Sequence, residues 1–327
     1  VLRYLSRRLG YYVFLIFVAT FLSYLLASTA LNPRVNFEGR FPRPAPASVD
    51  AQLYELGVND KTPVLERFAH WGAHALTGDF GHTIFDTSVN AEFGRRIGVS
   101  LRLLIAGTVA GTLLGVLAGF WGAIRQYRLS DRAVTVLSFV ILSTPAFLLA
   151  VLLKVGAIKF NQVTGTNVIK FTGESTPGLS GGPLTRLADA GIHLLVPTIA
   201  IALMTIATYS RYQRATMLDA LNSDFIRTAQ ARGLTRRRAL LKHGLRTALI
   251  PMSTFFAYNF LAIFTTFIFT EKIFGWNGMN AWFIDAINRN DINSVVAINV
   301  FAAVVVLLAG FLADVLHAAL DPRVRHS

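Results

Sequence analysis

Long apolar runs alternate along this chain with shorter polar stretches. Runs of about 20 apolar residues, enough for a helix to cross the hydrocarbon core of a bilayer, lie near residues 9–31, 99–123, 134–158, 192–210, 249–270 and 294–318. The pattern predicts an all-α polytopic membrane protein with six transmembrane helices. The first run follows Arg3, Arg7 and Arg8 and ends in Ala27-Ser28-Thr29-Ala30, as a signal peptide does. It is much longer than the roughly 7–15 residues of a signal-peptide core, so it reads as a retained anchor.

The polar stretch 32–98 is too long for a connector and too polar for lipid, and it predicts a small layer outside the bilayer. Its start, "NPRVNFEGRFPRPAPAS", reads as an irregular, PPII-like lead-in, while "SVDAQLYELGV" and "TPVLERFAHWGAHAL" carry the spacing of two short amphipathic helices. The later loop "GTNVIKFTGESTPGLSGGPLTR" is broken by Gly, Pro, Ser and Thr and predicts little regular structure. The chain thus divides into an N-terminal segment with the first span (1–31), the layer 32–98, a core of five spans over 99–318 with a basic loop at 211–248, and a tail, 319–327.

Composition agrees: of 327 residues, 53% are hydrophobic and 15% charged, and the mean hydropathy is +0.50. The net charge of +13 is informative through its distribution. Placing the N-terminus in the cytoplasm puts Arg3, Arg7, Arg8, Arg125, Arg128, Arg132, nine cations between Arg211 and Arg246, and Arg323 and Arg325 on the cytoplasmic side. Both termini are then cytoplasmic. The chain has no cysteine, which removes disulfides, thiolate catalysis and Cys-ligated metals.

Other signals concern packing. Gly107, Gly111, Gly115 and Gly119 recur every four residues in the second span and form a groove that admits a neighbouring backbone. Ser143-Thr144-Pro145 predicts a kink in the third span, and Lys154 near its outer end reads as snorkelling to the interface. "GLSGG" at 178–182 fits G-x-S-x-G but lies in a loop without the strand and helix of a nucleophile elbow. His70 and His74 are four apart, but Trp71 follows the first, so the zinc-protease motif is absent and no metal site is assigned. There is no phosphate loop, so the chain is not expected to hydrolyse ATP, and no catalytic residues are assigned.

The basic loop has an internal design. Phe225, Ile226 and Ala229 share one face of a short helix that Gly233 can end as the left-handed residue, with Leu234 as its apolar partner. Thr235 suits the N-cap of a second helix whose apolar stripe is Leu240, Leu241, Gly244, Leu245 and Ala248. Arg238, Lys242 and Arg246 form a like-charge row on that helix, tolerated best when something anionic faces it. A nucleic-acid arm would interleave aromatics, and only Tyr212 and Phe225 are near, so nucleic acid is excluded as a partner. A docking surface for a cytoplasmic protein accounts for both the cations and the glycine corner.

At this point the sequence resembles a known family, the permease subunits of bacterial ABC importers. Their cytoplasmic loop carries Glu-Ala-Ala, three residues, Gly and, further on, an apolar residue and Pro. Here Arg227, Thr228 and Ala229 take the first three positions, with Gly233 and Pro251 following. Arg in place of Glu resembles the peptide-transporter branch, as do Ile226 to Leu234, His243, Arg246 and Ala248, while Thr247 stands where that branch commonly has Asn. "RYLSRRLG" at the start, "GDFGHTI" at 78–84, "TEKIFGWNGMN" at 270–280 and the tail with Asp321, Pro322 and Arg323 are similar to further segments of the B-type permease of dipeptide and oligopeptide importers. In "TEKIFGWNGMN", Asn277 and Asn280 replace a proline and a glycine.

The resemblance implies a MetI-like permease fold in the bacterial plasma (inner) membrane. It also implies a C-type permease as heterodimer partner, two ATP-binding domains, separate or fused, that hold ATP and Mg, and an extracytoplasmic substrate-binding protein. The chain itself would carry no cofactor and contact only membrane lipid besides these proteins. The coupling loop would comprise Asp224, Ile226, Arg227, Thr228, Ala229, Gly233, Leu234, Thr235, His243, Arg246 and Pro251. Thr205, Thr208, Asn259, Thr265 and Thr266 either line the pathway or serve hydrogen bonds within and between helices. Peptides are the expected cargo. Nickel or another small solute is the rival within the family; a stand-alone carrier or an intramembrane enzyme is the rival outside it.

Overall fold

The computed structural model describes residues 2–38, 41, 42 and 44–320. The helices in chain order are α1 (Leu2–Ala30), α2 (Val35–Glu38), α3 (Pro46–Glu55), α4 (Val64–Leu76), α5 (Val89–Ile124), α6 (Leu129–Ser143), α7 (Ala146–Thr164), α8 (Pro183–Leu221), α9 (Asp224–Ala231), α10 (Arg236–Ala239), α11 (Leu245–Phe274), α12 (Met279–Asn288) and α13 (Ile292–Leu320). A π-helical turn, Leu240–Gly244, joins α10 to α11. Five helices are individually long and apolar enough to cross a membrane, and the bent pair Leu240–Phe260 and Ala262–Phe274 supplies a sixth.

Several boundaries differ from the sequence reading. The third span is two helices, because Thr144 is extended at φ −91°, ψ 126° and α7 starts after Pro145; a residue before proline is pushed out of the helical region. The irregular lead-in holds the single turn α2, and the segment between the fifth and sixth spans holds α12. α5 and α8 run well past their apolar stretches, so the layer begun at residue 32 ends at Val89 and the irregular loop before α8 shrinks to 165–182. Helix ends follow local rules: Pro183 opens α8 at N1, and Gly165 and Gly275, at φ +65° and +67°, close α7 and α11.

The chain divides into two compact units, one of Arg102–Trp276 and the chain from Ala309 onward, the other of Leu2–Leu101 and Asn277–Leu308. In the second, α1 packs on α4 through rings: Phe68 lies 5.0 Å from Phe21 and 5.4 Å from the fully buried Tyr24. The Asn293 amide donates to the carbonyls of Leu56 and His82, both at 3.0 Å. His70 and His74 are exposed neighbours with ring centroids 4.8 Å apart.

An ion cluster closes the turn after α3. Arg34 pairs with Asp50 and Asp60, and Lys61 pairs with Asp50. The Lys61 ammonium, then the Arg34 guanidinium, hold the Asp50 carboxyl below the usual carboxylate range, and Arg34 does the same for Asp60. A carboxylate lowered in the folded state contributes stability above its unfolded pKa of about 4, and that contribution is lost as pH falls through the lowered folded value. Arg34→Gln is therefore expected to destabilise this layer at neutral pH, with the deficit vanishing in acid. Fluorescence of a background in which Trp71 is the one tryptophan kept, followed during denaturant unfolding at a series of pH values, measures it; a pH-independent deficit would refute the assignment.

In the first unit, the α5 glycines face α8. A Cβ at Gly107 would lie 2.5 Å from Ile201 Cγ2, at Gly111 2.5 Å from Thr205 Cβ, at Gly115 2.8 Å from Tyr209 Cβ and at Gly119 2.4 Å from the Ser210 carbonyl. At the same end of α8, Arg214 grips the 3%-exposed Asp131 with two bonds, Nε to Oδ1 at 2.6 Å and Nη2 to Oδ2 at 2.8 Å. Lys154 donates its ammonium to the Ile273 carbonyl, so it ties α7 to α11 rather than reaching freely to an interface.

Candidate coupling site

The loop between α8 and α11 folds because each break in it is capped. The third residue of α9, Ile226, is 3% exposed, and Ala229, 9% exposed, is buried on the same face. The helix ends in a full Schellman motif: Leu234 N–H donates to Ala229 O at 3.2 Å, Gly233 N–H donates to Gln230 O at 2.9 Å, and Gly233 is left-handed at φ +89°. Thr235 then caps α10, its Oγ1 accepting the Arg238 N–H at 3.4 Å.

Ile226, Ala229, Ala239, Leu240 and Ala248 join Ala123 of α5 and Met217 and Ala220 of α8 in one buried cluster, with Leu234 packed against it. The loop is thus seated on the ends of two long helices. The π turn lets Gly244 lie 3.2 Å, at a notional Cβ, from Met217 Cε and 3.5 Å from Ile226 Cδ1. Nothing in the sequence signals that turn, and it changes two expectations. Leu241 is 46% exposed and so leaves the apolar stripe, and the row Arg238, Lys242, Arg246 loses its regular spacing. Arg246 donates instead to the Leu320 carbonyl at 3.3 Å, at the C-terminal end of α13 where a cation suits the helix dipole.

Phe225 is also misplaced by the sequence reading: it is 41% exposed and lies off the buried face. It shares the solvent side with Asp224, Arg227 and Thr228. Asp224 and Arg227 approach to 3.5 Å, a weak exposed pair, and Thr228 bonds back to the Asp224 carbonyl at 2.9 Å. Among the remaining loop residues, the His243 carbonyl accepts the Thr247 hydroxyl at 3.0 Å, and Pro251 lies exposed inside α11.

Thr205, Thr208 and Asn259 come together along an open cleft with Ile201, Met204 and Ala262. Thr205 and Thr208 also bond back to the carbonyls of Ile201 and Met204, at 2.9 and 3.0 Å, so they border the cleft while serving hydrogen bonds within α8. The side chains of Thr265 and Thr266, and the tail residues Asp321, Pro322 and Arg323, lie outside the described residues.

Residues 111–326, which contain the whole capped loop, match the family model described as the binding-protein-dependent transport system inner membrane component. The chain belongs to this family. It is 54% identical over 325 residues to the oligopeptide transport system permease protein OppB of Mycobacterium tuberculosis, covering 99% of each chain. It is 30% identical over 292 residues to the oligopeptide transport system permease protein AppB of Bacillus subtilis, covering 87% of each, and 30% identical over 288 residues to the dipeptide transport system permease protein DppB of Escherichia coli, covering 84% of each. The chain is a multi-pass inner-membrane permease component of an ABC importer and not itself an enzyme.

Proposed function

We propose that this permease forms half of a path for di- or oligopeptides, paired with a C-type permease and fed by an extracytoplasmic binding protein. Both termini and the loop 211–248 lie in the cytoplasm in this reading, and two ATP-binding domains holding ATP and Mg seat on α9. The relatives are oligopeptide and dipeptide transport permeases, which favours peptide cargo over nickel or another small solute. One observation supports the coupling role above the others. α9 buries its Ile226 and Ala229 face on α5 and α8 while presenting Asp224, Phe225, Arg227 and Thr228 outward, and the Gly233 corner holds that arrangement stiff. A push on the outer face is then delivered to the spans instead of being absorbed in the loop.

Gly233→Val tests this. The left-handed conformation strains a β-branched residue by about 1–2 kcal/mol, while no neighbour lies within 4 Å of its notional Cβ, so the change acts on the corner alone. Membrane insertion should persist while peptide uptake by reconstituted complex falls. The ratio of uptake to ATP hydrolysis is the readout; an unchanged ratio with unchanged assembly would sink the coupling role. Uptake of labelled peptide against labelled nickel decides the cargo.

A further inference from the structure

Between Arg246 and Glu271, α11 contains no Asp, Glu, Lys, Arg or His. Tyr258 stands near the middle of that stretch. It is 80% exposed, and its hydroxyl has no hydrogen-bond partner among the described residues. α11 packs through Met252, Phe260, Ile263, Phe264 and Phe267, all buried, whereas Thr254, Tyr258 and Ala262, four residues apart, form one exposed face. In hydrocarbon an unpaired hydroxyl costs free energy that a chain can avoid by turning it toward protein or water. A face with Tyr258 at mid-span is therefore not built for lipid.

The surroundings of this face indicate what it meets. Asn259, the next residue, lines the cleft with Thr205 and Thr208, and Phe255, one turn earlier, stacks on Tyr212 with ring centroids 4.1 Å apart and planes 9° from parallel. The surface so formed offers hydroxyls, an amide and aromatic rings, with no fixed charge between Arg246 and Glu271 on α11. Such groups can exchange hydrogen bonds with a neutral peptide backbone and touch apolar side chains, without the deep electrostatic well that would hold a charged cargo in place.

We propose that Tyr258 lines the translocation path and that its hydroxyl contacts the peptide backbone in transit. The first half rests only on the permease assignment; the second also rests on peptide cargo. Because the chain has no cysteine, Tyr258→Cys gives it a single thiol. In the assembled complex in proteoliposomes, a hydrophilic maleimide should modify this variant at least about tenfold faster than Leu113→Cys, since an apolar setting keeps a thiol protonated and unreactive. Leu113 is a fair control, 60% exposed on α5. Equal, slow labelling would mean that lipid or a neighbouring helix covers Tyr258, and would overturn the proposal whatever the cargo.

The contact with cargo is read separately. Tyr258→Phe keeps the ring and removes the hydroxyl, and should raise the KM of peptide uptake by about five- to tenfold, the size of one lost hydrogen bond, with ATP hydrolysis stimulated by the binding protein unchanged. A Tyr258→Phe complex with wild-type KM would overturn the backbone contact. If the wild-type complex moves no peptide at all, the cargo reading fails, and the labelling result still decides whether Tyr258 lines the path.

Discussion

Arg214→Met is expected to destabilise the folded permease by about 3–5 kcal/mol, the range for removing one partner of a buried ion pair. The Arg214 side chain is 27% exposed and that of Asp131 4%, so the cost arises on the carboxylate side: Asp131 stays buried with the Tyr127 N–H, at 2.9 Å, as its remaining partner shown here. Tyr127 itself is held left-handed at φ +65°, which leaves the turn between α5 and α6 little freedom to follow the carboxylate outward. Gly122 adds a wall, since a Cβ there would lie 2.9 Å from Asp131 Oδ1. Arg214→Lys should recover only part of the loss, because an ammonium cannot reproduce the two parallel bonds of the guanidinium. The double variant Arg214→Met with Asp131→Asn should recover most of it, since no charge is then left buried. Thermal unfolding of the purified chain in detergent measures all three. A double variant no better than the single one would show that the charge itself is not what matters.

The spans were legible because a run of about 20 apolar residues has few alternatives to a helix in a bilayer. Their lengths were less so. Hydropathy falls off at Arg95, Arg96 and Arg102 and again at Arg211 and Arg214, but the backbone ladder does not, so α5 and α8 continue through polar residues. The break at Pro145 and the corner at Gly233 were legible because proline and glycine constrain the backbone locally. α12 carries a signal of its own in the sequence: Met279, Trp282 and Ala286 recur at helical spacing and are buried. The π turn left none, because its cause is the fit of Gly244 against Met217 and Ile226, a tertiary contact. For the same reason the apolar pattern alone places Phe225 and Leu241 on the wrong side. Tyr258 was hidden differently, since inside an apolar run an aromatic ring conceals its hydroxyl.

A graded series on α5 carries the second large effect. Gly119→Ala should be strongly destabilising, Gly107→Ala moderately so, and Gly98→Ala neutral or stabilising. All three lie in one helix, so helix propensity alone would favour alanine at each by up to about 1 kcal/mol. What separates them is the atom that the new methyl meets. At Gly98 nothing lies within 4 Å; at Gly107 the obstacle is the Ile201 side chain, its Cγ2 at 2.5 Å and its Cβ at 2.8 Å, which a turn about χ1 relieves only in part because Cβ is fixed to the helix; at Gly119 it is the backbone of α8 itself, the Ser210 carbonyl at 2.4 Å and the Arg214 nitrogen at 2.9 Å. Backbone can yield only by moving the whole helix, so the overpacking cost there should reach or exceed the usual 1–3 kcal/mol or so. Such a shift would also pull Arg214 from Asp131 and lift Met217 and Ala220 from beneath α9, so transport should fail along with stability. Thermal unfolding and uptake measured on the three variants give the order directly. If Gly119→Ala matched Gly107→Ala, the close approach of α5 to α8 at this end would not be what seats the coupling loop, and the stiffness attributed to it would have to come from the Gly233 corner alone.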